Sequence, residues 1–391
     1  MTTILLVAYS IIVFNHFLRR NEMINETLSR ELQIKFNRII KLLDEKGFDG
    51  IVFTTNSNFK WLSCGRTNDV IKNDNASLVY FFITPDKKYF IASRSDSFRV
   101  ADEELMGLGY EPVLYNWYNE SVFDAIKRIG KYKKIASDFL SGASDFIPGE
   151  IAALRSELTE SETERYKKTC NEYTKLLTAY CKSLKPGMSE MDIASGLLFE
   201  GAKRQMRFPV LMVGSDERIS LYRHPTSTLK KVKNYVLFAT VVEREGICAN
   251  VTRSIYFGLL PEELKVKQEA VNTIEAAYQS YSTPGATLGE IFEKGKKAYE
   301  EAGYAGEWEN HLQGGISGYS PLEFLMLEGS KIAVKENNIM SFNPTIKGAK
   351  SEDPVHITKN GPLQYTIDLE WPSKEYLIGK RKYVRPLILE I

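Results

Sequence analysis

Apolar positions along this chain follow two periodicities, helical and alternating, and the order in which they come divides it in two. Between Leu32 and Gly47, the residues Leu32, Phe36, Ile39, Ile40 and Leu43 recur at helical spacing, and the closing glycine predicts the helix end. An apolar strand is expected over Gly50–Phe53. The runs LVYFFIT and YFIAS flank Pro-Asp-Lys-Lys, which predicts a β-hairpin with Asp86 and Lys87 at its tip. The strand YEPVLY, the helix SVFDAIKRIG and the strand KKIASD continue the alternation. One α/β domain, ending near residue 155, follows from that order.

From Glu157 the pattern changes. Two long amphipathic helices, Ser161 to Leu184 and Met191 to Met206, are separated by KPGMSE, where Pro186-Gly187 breaks the first and Ser189 is placed to cap the second. Strands are expected in YVLFATVV and ICANVTRSIYFG. A second pair of helices, Pro261 to Tyr281 and Leu288 to Ala302, is again parted by a Pro-Gly step, Pro284-Gly285. The tail segments IMSFNPTI, DPVHIT and LQYTIDLE read as strands. Two helix pairs, each with a Pro-Gly break and each followed by strands, hint at a duplicated unit, although the halves share no clear sequence.

Length and composition agree with two globular domains. The chain has 391 residues, 43% of them apolar and 26% charged, as in an ordinary soluble protein. Lys plus Arg (51) nearly cancels Asp plus Glu (50). That balance gives no electrostatic pull toward nucleic acid, and none is expected as a partner. The cysteines Cys64, Cys170, Cys181 and Cys248 form no Cys-x-x-Cys pair, so no zinc knuckle or redox motif is expected. Cys170 and Cys181 should share a helix, too far apart to bond, and reduced thiols in a cytoplasmic protein are the expectation. Residues 1–22 are the exception to this ordinary pattern. Thr2 to Leu18 is strongly apolar and ends at Arg19-Arg20. It is near the short limit for a span, lacks a positive leader and lacks a cleavage site. An N-terminal extension is favoured there over a marginal membrane anchor at residues 2–18.

Several segments carry a resemblance, in one order. KPGMSE sits between the first helix pair, and LYRHP spans Leu221 to Pro225. ANVTRS spans Ala249 to Ser254, HLQGGISGY spans His311 to Tyr319, and NPTIKGAKSEDPVHIT spans Asn343 to Thr358. Together they resemble the creatinase, prolidase and aminopeptidase P family, over roughly residues 30 to 391. The resemblance implies a two-domain α/β fold. A small creatinase-type N-terminal α/β domain would cover residues 23–155, and a C-terminal pita-bread (α+β) domain residues 156–391. It also implies a homodimer.

The resemblance further implies a ligand set, and the residues depart from it. Peptidases of the family hold two divalent metals with two Asp, one His and two Glu, which make a hydroxide and polarise the scissile carbonyl. Carried onto this chain, the first Asp position falls at Ala239, or at Thr240 if the register slips by one. The second falls at Asn250, the His at Gly315 and the first Glu at Asn343. Only Glu352 keeps a carboxylate, and a supporting histidine is replaced by Leu322 beside a retained Glu323. Two adjacent dications need several negative charges, so no dinuclear metal and no cofactor is expected.

His224, His311 and Glu352 remain as candidate catalytic groups. Creatinase resembles these enzymes in fold yet uses a histidine as acid–base without metal, and His224 in Arg-His-Pro matches that position. Arg223, Arg253, Tyr319 and Glu323 are candidate substrate contacts, though each arginine could instead pair with a nearby acid. His356 reads as structural. A mononuclear site from His224, His311 and Glu352 finds no support in spacing, and the QGGISG run lacks the strand, helix and lysine of a phosphate loop. Three functions stay open. One is metal-independent hydrolysis of a C–N bond in a small amide, guanidino or dipeptide-like molecule. Another is binding of a peptide or metabolite without catalysis, with Glu352 hydrogen-bonded to Asn250 or Asn343 as a relic network. The third is an Xaa-Pro peptidase with displaced ligands.

Overall fold

The structure is a computed structural model and describes residues 26–391 except Asn73. The apolar run at residues 2–18 lies outside the described residues. Among these, no helix is long and apolar enough to cross a membrane. The chain divides into two compact units, the second beginning at Arg155.

The first unit follows the expected alternation. Helix α1 (residues 26–46) buries Leu32, Phe36, Ile39 and Leu43 and ends at Gly47, whose φ of 66° is the left-handed turn that closes a helix. Strand β1 (Gly50–Thr55) leads into α2 (Asn56–Leu62), a short buried helix that the polar start of its sequence conceals. The hairpin β2 (Ala76–Ile83) and β3 (Lys88–Ser93) pairs Ile83 with Lys88, which leaves Asp86 and Lys87 at the turn as expected. A short α3 (Ser97–Arg99) precedes β4 (Glu111–Tyr115), and α4 (Val122–Ile129) starts on a capping box between Ser121 and Asp124. Strands β5 (Ile135–Ser137) and β6 (Asp145–Phe146) complete a mixed six-stranded sheet of order β4-β3-β2-β1-β5-β6. Helix α5 (Pro148–Ser156) ends where the second unit begins.

In the second unit the two helix pairs repeat one construction. Helices α6 (Glu160–Lys182) and α7 (Glu190–Ala202) are parted at Gly187, and Ser189 caps α7 through Asp192. Next come β7 (Arg207–Ser215), a short α8 (Glu217–Leu221), β8 (Tyr235–Arg244) and β9 (Ile247–Tyr256). Helices α9 (Glu262–Tyr281) and α10 (Leu288–Glu301) are parted at Gly285, and Thr287 caps α10 through Glu290. The two breaks share their hydrogen bonds as well. Gly187 N donates to Val232 O and Val232 N to Met188 O, just as Gly285 N donates to Val334 O and Val334 N to Ala286 O. The duplication that the sequence only hinted at is therefore present in the backbone, where bonding does not depend on side-chain identity.

Each helix pair is followed by its own sheet. Strands β7, β8 and β9 join β19 (Leu389–Glu390) in the order β19-β9-β8-β7. The second sheet, β11-β10-β12-β15-β16, is built from β10 (Gly314–Ser317), β11 (Phe324–Leu325), β12 (Ile339–Phe342), β15 (Val355–Thr358) and β16 (Gly361–Gln364). Between β12 and β15 lies the small hairpin β13 (Thr345–Ile346) and β14 (Ala349–Lys350). A further hairpin, β17 (Ser373–Ile378) and β18 (Arg381–Pro386), follows β16. One strand expectation needs correction. LQYTIDLE is strand only as far as Gln364, and the chain then loops into Asp368, whose carboxylate accepts from the Glu370 amide. Strand β7 and the β17–β18 hairpin were absent from the sequence reading, because Arg207-Phe208-Pro209 interrupts alternation in the one and exposed polar residues dominate the other. Cys170 and Cys181 share α6, and all four cysteines are buried thiols.

Candidate functional site

Strand alternation decides which side chains meet in the second unit. Across the β8–β9 ladder Ala239 faces Thr252 and Val241 faces Asn250. Directly opposed residues point to one side of a sheet, so Ala239, Asn250 and Thr252 share a face. Thr240 takes the other face, where it accepts from the Tyr173 hydroxyl at 2.6 Å and donates to Val251 O at 2.8 Å. Ala239, not Thr240, is therefore the neighbour of Asn250, and it packs among Ile219, Tyr235 and Leu237.

Glu352 closes onto that face. Its Oε2 accepts from Thr252 Oγ1 at 2.8 Å, and its carbonyl accepts from the Thr252 amide at 2.9 Å. The second partner of the carboxylate is Lys350, whose Nζ lies 3.2 Å away, with both side chains buried. The relic network considered from sequence is corrected here, because Glu352 is bound to Thr252 and Lys350 rather than to Asn250 or Asn343. Asn250 donates instead to Pro321 O at 3.3 Å, and its buried Oδ1 has no partner among the described residues. Asn343 Oδ1 is buried and equally unpartnered. Asn343 comes alongside Glu352 because the Ser351 amide donates to Pro344 O at 3.1 Å.

At Gly315 the backbone is shut. In β10 this residue pairs with Leu325 of β11 on one side and Ser341 of β12 on the other. A Cβ at Gly315 would stand 2.0 Å from Phe324 O and 3.0 Å from Met326 N. No side chain fits there unless β11 moves.

The two histidines come together. His311 is buried, and His224, on the segment after α8, is exposed. His311 Nδ1 lies 2.6 Å from Leu312 O, and a carbonyl only accepts, so His311 carries its proton on Nδ1. Its Nε2 is then a lone pair, and the 3.0 Å contact to His224 Nε2 makes His224 the donor. His224 is left with Nδ1 unprotonated and without a protein partner among the described residues. Burial pushes His311 down to about 3, helped by the charge of Lys350. The same two causes, burial first, lower His224, and Glu352 opposes them.

The other candidate residues are held by protein partners. Arg223 pairs with Glu307 and reaches Thr345 Oγ1 at 3.4 Å. Arg253 is buried, with a two-pronged contact to Asp353 at 3.0 and 2.9 Å and further bonds to Thr252 O and Thr366 O. Glu323 is clasped by Arg155 through Nε at 2.9 Å and a second nitrogen at 2.6 Å. Tyr319 donates to Glu162 Oε1 at 2.5 Å. His356 bridges Tyr365 at 3.0 Å and Asn337 at 3.2 Å, away from this cluster. Sequence reasoning missed Lys350 and Thr252. Lys350 was findable as the basic residue two places before Glu352 in the run Lys350-Ser351-Glu352-Asp353.

The family's two metal ions can be tested against these residues. Ala239 and Gly315 offer no donor, Asn250 and Asn343 offer one neutral oxygen each, and Glu352 is paired with an ammonium. Among the described residues no group of three or more His, Cys, Asp or Glu converges to hold a metal ion. This donor set does not fit a dinuclear centre.

Relatives agree with the fold. The sequence model for metallopeptidase family M24 matches residues 164–359, and that of the creatinase/prolidase N-terminal domain matches residues 35–168. The Bacillus subtilis (strain 168) protein named "Putative dipeptidase YkvY" is 28% identical over 200 residues, which is 48% of this chain and 54% of that protein. The chain spans about half the length of the curated relatives it matches. Among solved structures, the Xaa-Pro dipeptidase from Bacillus anthracis superposes with a TM-score of 0.70 at 19% identity, covering 92% of this chain and 100% of that one. The prolidase from Pyrococcus horikoshii OT3 gives 0.72 at 18% identity, covering 85% and 98%. With a creatinase/prolidase N-terminal domain preceding a pita-bread domain, the chain belongs to metallopeptidase family M24.

Proposed function

We propose that the protein is a metal-independent hydrolase of a C–N bond in a small amide, guanidino or dipeptide-like molecule, with His224 moving the proton. The observation that carries this reading is the His224–His311 contact, which leaves an exposed imidazole with a fixed tautomer and a bare Nδ1. In the reaction, water oxygen adds to the carbon while its proton passes to His224 Nδ1. That proton then goes to the departing nitrogen as the C–N bond breaks, and the imidazole returns to its starting form. A lowered pKa keeps His224 neutral, and so a base, at pH 7. Glu352 acts through its charge, favouring the imidazolium formed midway, rather than by a direct bond. A homodimer accompanies this reading on family grounds, and a cytoplasmic setting on the four buried thiols.

The names of the neighbours, an Xaa-Pro dipeptidase and a prolidase, make proline dipeptides the first molecules to try. Metal-depleted protein should turn over one member of a panel of dipeptides, amides and guanidino compounds, and His224→Ala should abolish it. Unchanged activity in that variant would end the proposal. Stoichiometric bound metal, with activity lost to a chelator, would replace it by an Xaa-Pro peptidase with displaced ligands.

A second reading, ligand binding without turnover, is favoured by one observation. The charged candidate side chains Arg223, Arg253, Glu323 and Glu352 are each already engaged by a protein group. Binding by the wild type with no product across the same panel would select it.

A further inference from the structure

Glu352, the one carboxylate at the five ligand positions, does not face the cleft alone. The β13–β14 hairpin turns the chain so that Lys350 pairs with Thr345, and its ammonium comes to 3.2 Å from Glu352 Oε2. Thr252 fixes the same carboxylate from β9. The ammonium has three N–H donors, and Glu352 is its only partner among the described residues. Its charge reaches both His224 and His311. Nearby, Asn250 Oδ1 and Asn343 Oδ1 are buried acceptors with no donor. Positive charge and bare acceptors are thus neighbours, since Asn250 shares the Thr252 face of β9 and Asn343 comes alongside Glu352, and buried polar atoms left unpaired are costly.

We propose that the Lys350 ammonium is the resident cation of this site, balancing Glu352 and receiving a carbonyl or carboxylate oxygen of the ligand. It holds the carboxylate that the family resemblance assigns to a metal. Asn250 and Asn343 supply the opposite polarity and accept an N–H of the same ligand, so the cleft is complementary to a planar amide group. A fixed ammonium aimed at such an oxygen stabilises the negative charge that grows on it when the carbon is attacked. Lysine suits this better than arginine, because its charge is compact and its stem flexible. The inference rests on the cleft of the preceding reading, but not on turnover.

The test uses the full chain in metal-free buffer as wild type, Lys350→Met and Lys350→Arg. Imidazole NMR titration of Lys350→Met should move the His224 midpoint upward by about half a pH unit or more, because a unit charge has left the pair. Lys350→Arg should stay near the wild type. An unmoved midpoint in Lys350→Met overturns the placement of the charge. Calorimetry with glycyl-proline should show a tenfold or greater loss of affinity in Lys350→Met. Equal affinity in Lys350→Met, or no binding by the wild type, overturns the receptor role. Binding without turnover keeps this inference and defeats only the hydrolase reading. Should Lys350→Met not fold, the wild type gives the answer alone. Bound glycyl-proline must shift the Lys350 ε-methylene signal, and an unmoved signal overturns the proposal.

Discussion

His224 and His311 meet nitrogen to nitrogen, Nε2 to Nε2 at 3.0 Å, and this contact fixes where the pair holds its protons. Because His311 gives its Nδ1 proton to Leu312 O, it can only accept at Nε2. One imidazole is thereby turned into a support for the other. The support is buried and the supported ring is exposed, the arrangement a proton-transferring group needs to meet a ligand.

Acidification should therefore weaken the fold through His311. The folded protein prefers this ring neutral, with its pKa pushed down to about 3, chiefly by burial. The unfolded chain takes up a proton near pH 6.5, so it gains protons first as pH falls. Stability from this group is complete above about pH 6.5 and is lost from there toward pH 3, at up to about 1.4 kcal/mol per pH unit. Urea midpoints should fall between pH 7 and pH 5, and His311→Gln should flatten that slope. The same slope in both proteins would show that other groups cause it.

Gly315→His should not rebuild a metal ligand. Its Cβ would fall 2.0 Å from a backbone oxygen of β11, which cannot rotate away as a side chain can. Forcing extra atoms into such a place costs about 1–3 kcal/mol or more. The variant is expected to melt earlier than the wild type and to gain no bound metal. A variant of unchanged melting temperature that took up metal stoichiometrically would show that β11 yields.

These sites differ in how legible they were. The helix ends and hairpins were plain because Gly47, Ser189 and the Pro-Asp-Lys-Lys turn act on their immediate neighbours. The duplicated backbone was only hinted at, since its repeated bonds run between main-chain atoms that tolerate any side chain. Family order assigns ligand positions to Asn250, Gly315, Asn343 and Glu352, and strand alternation sets Ala239 rather than Thr240 on the face of Asn250. What the sequence could not convey was partnership. Arg223 and Arg253 look like anion-binding residues until Glu307 and Asp353 are seen against them. Those partners are 84 and 100 residues away. Lys350 was overlooked for the opposite reason, since it stands only two residues from Glu352 and reads as an ordinary strand charge.

Loss of Arg385 should be severe although it touches no candidate catalytic group. It is fully buried, donates to Asp353 Oδ2 at 2.8 Å and to Ser351 Oγ at 3.1 Å, and pairs with Glu275. Arg253 holds the same Asp353. Two guanidinium groups and two acidic side chains thus form a buried cluster directly behind Glu352, in which burial pushes Glu275 up to about 8 and Arg385 Nε and Nη1 have no partner among the described residues. Removing one charge strands the others, which costs about 3–5 kcal/mol. Arg385→Met should lower the urea midpoint accordingly, with Arg385→Lys recovering only part. A midpoint within about 0.5 kcal/mol of the wild type, the range of an ordinary surface change, would refute the cluster as an anchor.

The Lys350–Glu352 pair should behave as one unit. Both side chains are largely buried, so either charge is poorly hydrated when the other is removed. Lys350→Met alone is expected to destabilise the protein by about 3 kcal/mol, and Glu352→Leu by a similar amount. The double variant should fall well short of the sum, because two apolar groups replace two compensating charges and leave no lone ion behind. Thr252 then loses its acceptor, so the double variant does not return fully to the wild type. A double-mutant cycle in urea should give a coupling of about 2–3 kcal/mol. That coupling should change little between low and moderate salt, since screening acts weakly on buried charges. Additive single effects, or a coupling that salt abolishes, would mean that the ammonium does not hold the carboxylate.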